Sequence, residues 1–335
     1  MDRIRVTIAR EGEIRIEQQE KPVPGEHEVL VKTEYSAISN GTETMVLNNR
    51  SSGTRLGYNS VARIVAKGAG VEHLEVGQRV ACYGEGAHAD YRLVPKVLAV
   101  PVPDHVDSEE AAFAGLGAIA IHALRQARLQ FGETVVIVGL GILGQITAQI
   151  AYAAAYRVIG CDLLPERCEQ LRAACPGITV CSVPEQVGAA LKRLGAADLK
   201  GADSVLLCGG GKGDGLLDRA IGWLRDRGSV VIVGVPDTVF TRNALFHKEA
   251  EIRISRAGGP GRYDERYERG GYDYPGGYVR WTEGRNVGEY VRLLADKRIS
   301  IKPLVRHRFA FNQIADAYRL CREEPERTLG IVLSY

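Results

Sequence analysis

The sequence has almost no charge imbalance, no closely paired cysteines and no long apolar run, and each absence removes a class of function. Lys and Arg number 43 against 41 Asp and Glu, a formal charge of +2 over 335 residues. A chain so nearly neutral has little long-range field for displacing counterions from nucleic acid, and no basic stripe interleaved with aromatics compensates. Nucleic acid is not an expected partner. No stretch reaches the ~18 consecutive apolar residues of a membrane span. The opening residues, MDRIRVTIAREGEIRIEQ, alternate charged and apolar side chains and form no signal-peptide core. Neither a membrane nor export is indicated. Cys82, Cys161, Cys168, Cys175, Cys181, Cys208 and Cys321 are odd in number and include no C-x-x-C pair. Neither a disulfide framework nor a zinc ribbon is expected, and a reducing cytoplasm is the simplest setting.

What remains is ordinary globular material, 45% hydrophobic and 25% charged, enough for about two domains. The first part reads as all-β: residues 3–8, 13–17, 28–36, 59–67 and 78–81 are short, β-branched and mostly alternating, separated by turn signals such as Pro24-Gly25 and Gly68-Ala69-Gly70. Ser108, with Glu109 and Glu110 behind it, reads as the cap of a small-residue helix over 111–127. Strict alternation follows, with strands at 134–138, 157–161, 204–208 and 229–233 and helices at 142–155, 165–174 and 215–224. Continuous Val/Ile runs separated by helices call for a parallel sheet covered on both faces. The fold class is therefore α/β, a β domain with a doubly wound domain inserted. The stretch 257–285 breaks the rhythm with Gly, Arg and aromatics, and order resumes with a helix capped by Asn286, strands at 304–308 and 329–333, and a helix near 312–322.

Gly139-Leu140-Gly141-Ile142-Leu143-Gly144 follows directly on the strand 134–138 and opens a helix. That context turns a weak G-x-G-x-x-G match into a dinucleotide fingerprint: the glycines permit a tight turn and close approach of backbone to pyrophosphate, and the helix N-terminus supplies N–H donors. Asp162 lies 23 residues beyond Gly139 at the end of the second strand, where a carboxylate accepts from ribose hydroxyls. Leu163 and Leu164 follow it, which favours NAD over NADP; Arg167 is placed near the adenine, although an Arg there also suits a 2′-phosphate. Cys208 and Gly209-Gly210-Gly211 after one strand, and Gly234-Val235-Pro236 after the next, are further candidate walls of the cofactor site.

The stretches VKTEYSAISNGTE, RLGYNSVARIVAKGAGVEHLEVGQRVA and EEAAFAGLGAIAIHALR, in that domain order, resemble the medium-chain dehydrogenase/reductase superfamily over essentially the whole chain. GPGRYDERYERGGYDYPGGYVRWTEGRN is similar to its zinc-lacking members, above all the dehydrogenase half of two-part oxidoreductases of sugar and polysaccharide pathways and, more distantly, bacteriochlorophyllide dehydrogenases. The resemblance implies a GroES-like β-barrel catalytic domain over 1–117 and 284–335, a Rossmann domain over 118–283, an active site in the cleft between them, and a homodimer or homotetramer. Against the zinc-dependent pattern, Cys-Gly-Thr-Asp is replaced by Asn40-Gly41-Thr42-Glu43, Gly-His-Glu by Gly57-Tyr58-Asn59, and the third ligand position falls at Gly115. Three converging ligands are thereby lost, and so is the four-cysteine structural lobe, so no metal is expected.

Without zinc, a side chain must handle the proton that leaves an alcohol during hydride transfer. Thr42 matches the hydroxyl relay of zinc-dependent relatives, while Tyr58 with a lowered pKa and Glu43 are the two candidate bases. Each also has a plain alternative, Tyr58 as pocket wall and Glu43 as an orienting group. Asn40, Asn59, Arg256, Arg262, Tyr274 and Arg280 are candidate contacts for a polar substrate such as a sugar or cyclitol, and the Tyr/Arg-rich stretch serves equally well as a subunit interface. His122 reads as a core histidine and His88 as a surface residue in a turn. An NAD-dependent, zinc-free alcohol dehydrogenase is the leading expectation; an NADPH quinone or enoyl reductase and a non-catalytic dinucleotide-binding protein stay open.

Overall fold

The computed structural model describes residues 2–48, 53–194, 201–210 and 215–335. The chain divides into two compact units: Met1–Ala118 with Gly258–Lys297 and Ile301–Tyr335, and Ile119–Ala257 with Arg298–Ser300.

The first unit is β-rich. Arg3–Arg10 and Glu13–Glu20 pair in unbroken register from Arg3 opposite Glu20 to Arg10 opposite Glu13. The turn between them holds Glu11 at φ 53° and Gly12 at φ 86°, the two successive positive angles that match a hairpin turn to strand twist. A seven-stranded sheet runs in the order Val305–Ala310, Gly330–Ser334, Glu28–Ala37, Asn59–Lys67, Arg79–Tyr83, Ala99–Pro101, with Tyr91–Pro95 also paired to Glu28–Ala37. The late strands thus complete a sheet begun by the early ones, which makes this unit discontinuous. Ile38, Leu47, Leu56, Phe311, Ile314, Tyr318 and Leu333 form one of its buried clusters, and the helix Asn40–Asn48 packs on Ile314–Glu323.

The second unit is a six-stranded parallel sheet ordered Thr179–Cys181, Arg157–Cys161, Thr134–Val138, Ala202–Leu207, Leu224–Ile232, Glu251–Ile254. Numbered within the unit this is 3-2-1-4-5-6, the order of doubly wound dinucleotide folds. Val136, Ile159, Val205, Leu207 and Val230 are buried in its core.

Three expectations change. The stretch 258–283 belongs with the β-rich unit and not with the parallel sheet. Its anchor is Tyr267, 1% exposed, whose hydroxyl donates to Thr282 Oγ1 at 3.0 Å and accepts from Gly284 N at 3.2 Å. Helix Glu283–Ala295 is capped by Thr282, while Asn286 is buried inside it and donates from Nδ2 to Gly258 O at 2.8 Å. Asp107, not Ser108, caps the short helix Ser108–Ala111. No described helix is long and apolar enough to cross a membrane.

His122 lies buried on the helix Ala114–Ala127, as expected of a core histidine. Desolvation, reinforced by the charges of Arg125 and Arg256, lowers its pKa to about 4. The fold therefore holds it neutral while the unfolded chain protonates it near pH 6.5, so stability is lost as pH falls from about 6.5 toward 4. His122→Gln should remove on the order of 1 kcal/mol of the stability difference between pH 7 and pH 5, read from urea midpoints at the two pH values; an unchanged difference would refute the assignment.

Candidate functional site

In the parallel-sheet unit the glycine loop has the geometry its chemistry requires. Gly139 has φ +88°, and a Cβ there would stand 2.5 Å from Gly209 N. A Cβ on Gly144 would stand 1.8 Å from Gly139 O, so the helix Ile142–Ala153 closes on the loop only with glycine. Gly141, at its N-terminus, would meet nothing nearer than Arg167 Nη1 at 4.0 Å, leaving backbone open for a phosphate. Ile142 is buried and Leu143 half-buried in the first turn. A Cβ on Gly234 would stand 2.5 Å from Gly209 O. Leu163 and Val235, each just past a strand's carboxyl end, are 70% and 71% exposed, apolar surface of the kind a ligand covers. Cys208 is half-buried with its thiol pushed up to about 12 by burial, hence neutral. Gly211 lies outside the described residues.

Asp162 does more than wait for a ribose. Its Oδ2 accepts from Leu140 N at 2.6 Å and lies 3.5 Å from Arg167 Nη1, while Oδ1 accepts from Leu164 N at 2.9 Å. The carboxylate pins the glycine loop from the second strand, and a carboxylate's four lone-pair directions leave room for ribose hydroxyls. Arg167 turns back onto the loop instead of pointing to solvent, as its 22% side-chain exposure shows. These features fit a bound dinucleotide.

In the β-rich unit Tyr58, Ser39 and Glu43 converge. Tyr58 Oη donates to Ser39 Oγ at 2.6 Å, with Thr42 and Asn59 flanking it and the Tyr83 ring packed edge-on at 5.9 Å. Burial raises Tyr58 to about 12, against the lowered pKa expected of a base. Ser39 N donates to Glu43 Oε1 at 2.7 Å. Glu43, 2% exposed, also accepts from Tyr318 Oη, and its Oε2 lies 3.0 Å from His88 Nε2. His88, expected at the surface, is 1% exposed. The glycine at position 57 makes room for it: at φ +81°, a Cβ on Gly57 would stand 2.7 Å from the imidazole.

The positions matching zinc ligands offer no donor set. Asn40 is held by Thr328 Oγ1 at 3.1 Å and Thr44 Oγ1 at 3.1 Å. A side chain at Gly115 has no room, because its Cβ would stand 2.2 Å from Asn59 Oδ1 and 2.6 Å from the Tyr83 ring. Asn59 Oδ1 in turn accepts from Leu116 N at 2.9 Å, and its Nδ2 is buried without a hydrogen bond to the described residues. Among the described residues no three His, Cys, Asp or Glu cluster closely enough to hold a metal.

The remaining candidates divide. Arg262 is paired with Glu268 at 2.5 Å and Glu85 at 3.1 Å, and its charge reaches the Tyr83 phenol. Tyr274 donates to Asp264 and stacks on Tyr267 at 5.7 Å, so both residues brace the stretch from within. Arg280 is exposed and lies over Trp281 at 4.6 Å. Arg256, also exposed, belongs to the parallel-sheet unit. Sequence reasoning missed Ser39, His88 and Tyr318; the charge of Glu43 beside an apolar strand end was the one hint that polar partners must be near.

Two family models match the chain: an alcohol dehydrogenase GroES-like domain over residues 25–104 and a zinc-binding dehydrogenase over residues 143–269, the latter running twelve residues past the parallel-sheet unit. Sorbitol dehydrogenase of Gallus gallus is 25% identical over 361 residues, covering 93% of this chain and 91% of its own length. L-Galactonate-5-dehydrogenase of Escherichia coli (strain K12) is 25% identical, with 90% of each chain covered. A crystal structure from E. coli CFT073, described as a short chain alcohol dehydrogenase complexed with NADH, superposes with a TM-score of 0.81 at 18% identity over 100% of both chains.

Gly144→Ala tests the loop. The added methyl must displace Gly139 O, so dinucleotide affinity should fall at least about tenfold, a change of ~1.4 kcal/mol, in a fluorescence titration; equal affinity would mean the loop does not carry the cofactor.

Proposed function

Because the chain belongs to the medium-chain dehydrogenase/reductase superfamily, we propose that it interconverts a secondary alcohol and its ketone on a sugar, cyclitol or similar polyol, with NAD as cofactor and no zinc. The relatives named sorbitol and L-galactonate-5-dehydrogenase support the substrate class. The observation that carries the metal-free reading is the filled space at Gly115, where Asn59 and Tyr83 stand in the path of a third ligand. Asn40 and Tyr58, held by neutral partners, do not complete a zinc site.

The residues that would hold the dinucleotide are Gly139, Gly141, Gly144 and Asp162, with Leu163 and Val235 as apolar cover. When bound it supplies the site of hydride exchange. The proton is the task of the β-rich unit. A phenol near pKa 12 holds its hydrogen at neutral pH, so Tyr58 works as a donor to the reacting oxygen and as a relay, not as the group that stores the proton. In the oxidative direction Tyr58 takes the substrate hydroxyl proton as it passes its own to Ser39 Oγ, and Ser39 releases its own hydroxyl hydrogen toward Glu43, the carboxylate that the same serine's N–H holds at 2.7 Å. Asn59 Nδ2 is the unspent donor beside Tyr58 and can hold the same oxygen. Thr42 steadies the Tyr58 hydroxyl.

A screen of sugar alcohols and cyclitols, following reduced-cofactor absorbance, should find turnover with NAD that survives exhaustive chelation. Activity lost on chelation and restored by zinc would refute the metal-free reading, and tighter binding of NADP than of NAD would refute the cofactor choice. With a substrate in hand, Tyr58→Phe should lower kcat about 100-fold or more with a smaller change in KM; unchanged kcat would remove Tyr58 from proton transfer.

A further inference from the structure

The carboxylate of Glu43 is the inner end of a chain of hydrogen bonds. Its Oε2 meets His88 Nε2 at 3.0 Å, His88 Nδ1 meets Ser36 Oγ at 2.7 Å, and Ser36 Oγ meets Tyr335 Oη at 2.9 Å. Glu43, His88 and Ser36 are 2%, 1% and 0% exposed, whereas Tyr335 is only half-buried. We propose that Tyr335, Ser36 and His88 form a proton conduit between solvent and Glu43.

Every link is a group able to take a proton on one side and release one on the other. A neutral imidazole has one nitrogen as donor and the other as acceptor. With Nε2–H toward Glu43, Nδ1 accepts from Ser36, and Ser36 accepts from Tyr335. Inward transfer then moves one hydrogen at each link: Tyr335 takes one from water and gives its own to Ser36, Ser36 gives its own to Nδ1, and Nε2 gives its hydrogen to Glu43. Each hydroxyl ends with one hydrogen and the imidazole is again neutral in its other tautomer. Outward transfer is the reverse and starts from the other tautomer, with Nδ1–H toward Ser36: Glu43 gives its proton to Nε2, Nδ1 gives its hydrogen to Ser36, Ser36 to Tyr335 and Tyr335 to water.

The surroundings suit this use. Tyr318 donates to Glu43 from a second element and its ring stands edge-on to His88 at 6.2 Å. Tyr58, Tyr335 and Cys321 are the other titratable groups that feel the Glu43 charge, and Asp90, Arg92 and Arg5 are those that face Tyr335. Burial raises Tyr318 and Tyr335, which keeps both phenols protonated at neutral pH. The stack of Tyr335 on Phe311 at 4.6 Å fixes the outer end. A pair kept only for stability would need a partner for each ring nitrogen and nothing further; the continuation past Ser36 to a partly exposed hydroxyl is what a conduit adds. The use of this path in turnover rests on the proposed function, whereas the path itself does not.

The test therefore needs neither cofactor nor substrate. In full-length protein with 15N-labelled histidine, exchange of the His88 ring N–H into D2O is followed by NMR for wild type, Ser36→Ala and Tyr335→Phe. Tyr335→Phe keeps the ring stack and removes only the outer hydroxyl, so it stands in if Ser36→Ala folds poorly. Exchange slowed tenfold or more in either folded variant supports the conduit. Exchange that is unchanged or faster would show that His88 exchanges by local opening and would overturn it. Once a substrate is known, Tyr335→Phe should also raise the solvent deuterium isotope effect on kcat; slowed ring exchange with no turnover on any polyol would leave the conduit standing and sink the proposed function.

Discussion

The β-rich unit is organised around one buried carboxylate. A charged or polar group removed from water must have its hydrogen-bonding capacity met by the fold, and Glu43 draws its partners from four separate places: Ser39 N at the start of its own helix, His88 in a turn, Tyr318 on a late helix, and through His88 the strand residue Ser36. Ser36 and Ser39 are near in sequence, but His88 and Tyr318 stand 45 and 275 residues from Glu43, and Tyr318 reaches it only if the late residues return to the early sheet. The discontinuity of the unit and the position of the Tyr58 hydroxyl follow from the same constraint, since Ser39 serves Glu43 with its N–H and Tyr58 with its Oγ.

Steric exclusion gives the site its second property. Gly57 admits the imidazole, and Gly115 admits Asn59 and Tyr83. In both places the volume a side chain would need is occupied by a neighbour, the His88 ring at Gly57 and the Asn59 amide and Tyr83 ring at Gly115. Around Gly115 the space is taken by an amide and a phenol, neither of them among the thiolate, imidazole and carboxylate ligands that a zinc ion selects.

Much of this was legible in the chain, and the unread part has a common cause. The strands Thr134–Val138 and Arg157–Cys161 were read to the residue because a strand buried on both faces writes itself as a continuous apolar run. The glycine loop was legible because its spacing is local. Thr179–Cys181 and Glu251–Ile254 were missed: one is three residues and the other four, at the sheet's two edges, where partial burial leaves no such run. His88 was misread because nothing local marks a histidine as buried; its partners stand 45 and 52 residues away in sequence. The same distance hides the place of 258–283 in the β-rich unit, since Tyr267 is locally just one tyrosine among several.

Asp162 carries a consequence for how nucleotide preference changes on this scaffold. The acid that would discriminate at the ribose also holds Leu140 N, and through it the turn that receives the pyrophosphate. On the proposed role of Asp162, selectivity and loop rigidity would rest on one side chain and could not be tuned separately by altering it. A lineage drifting toward a phosphorylated ribose would have to keep this carboxylate and answer the phosphate with a cation beside it, where Arg167 already stands 3.5 Å away, or first find another tether for the loop.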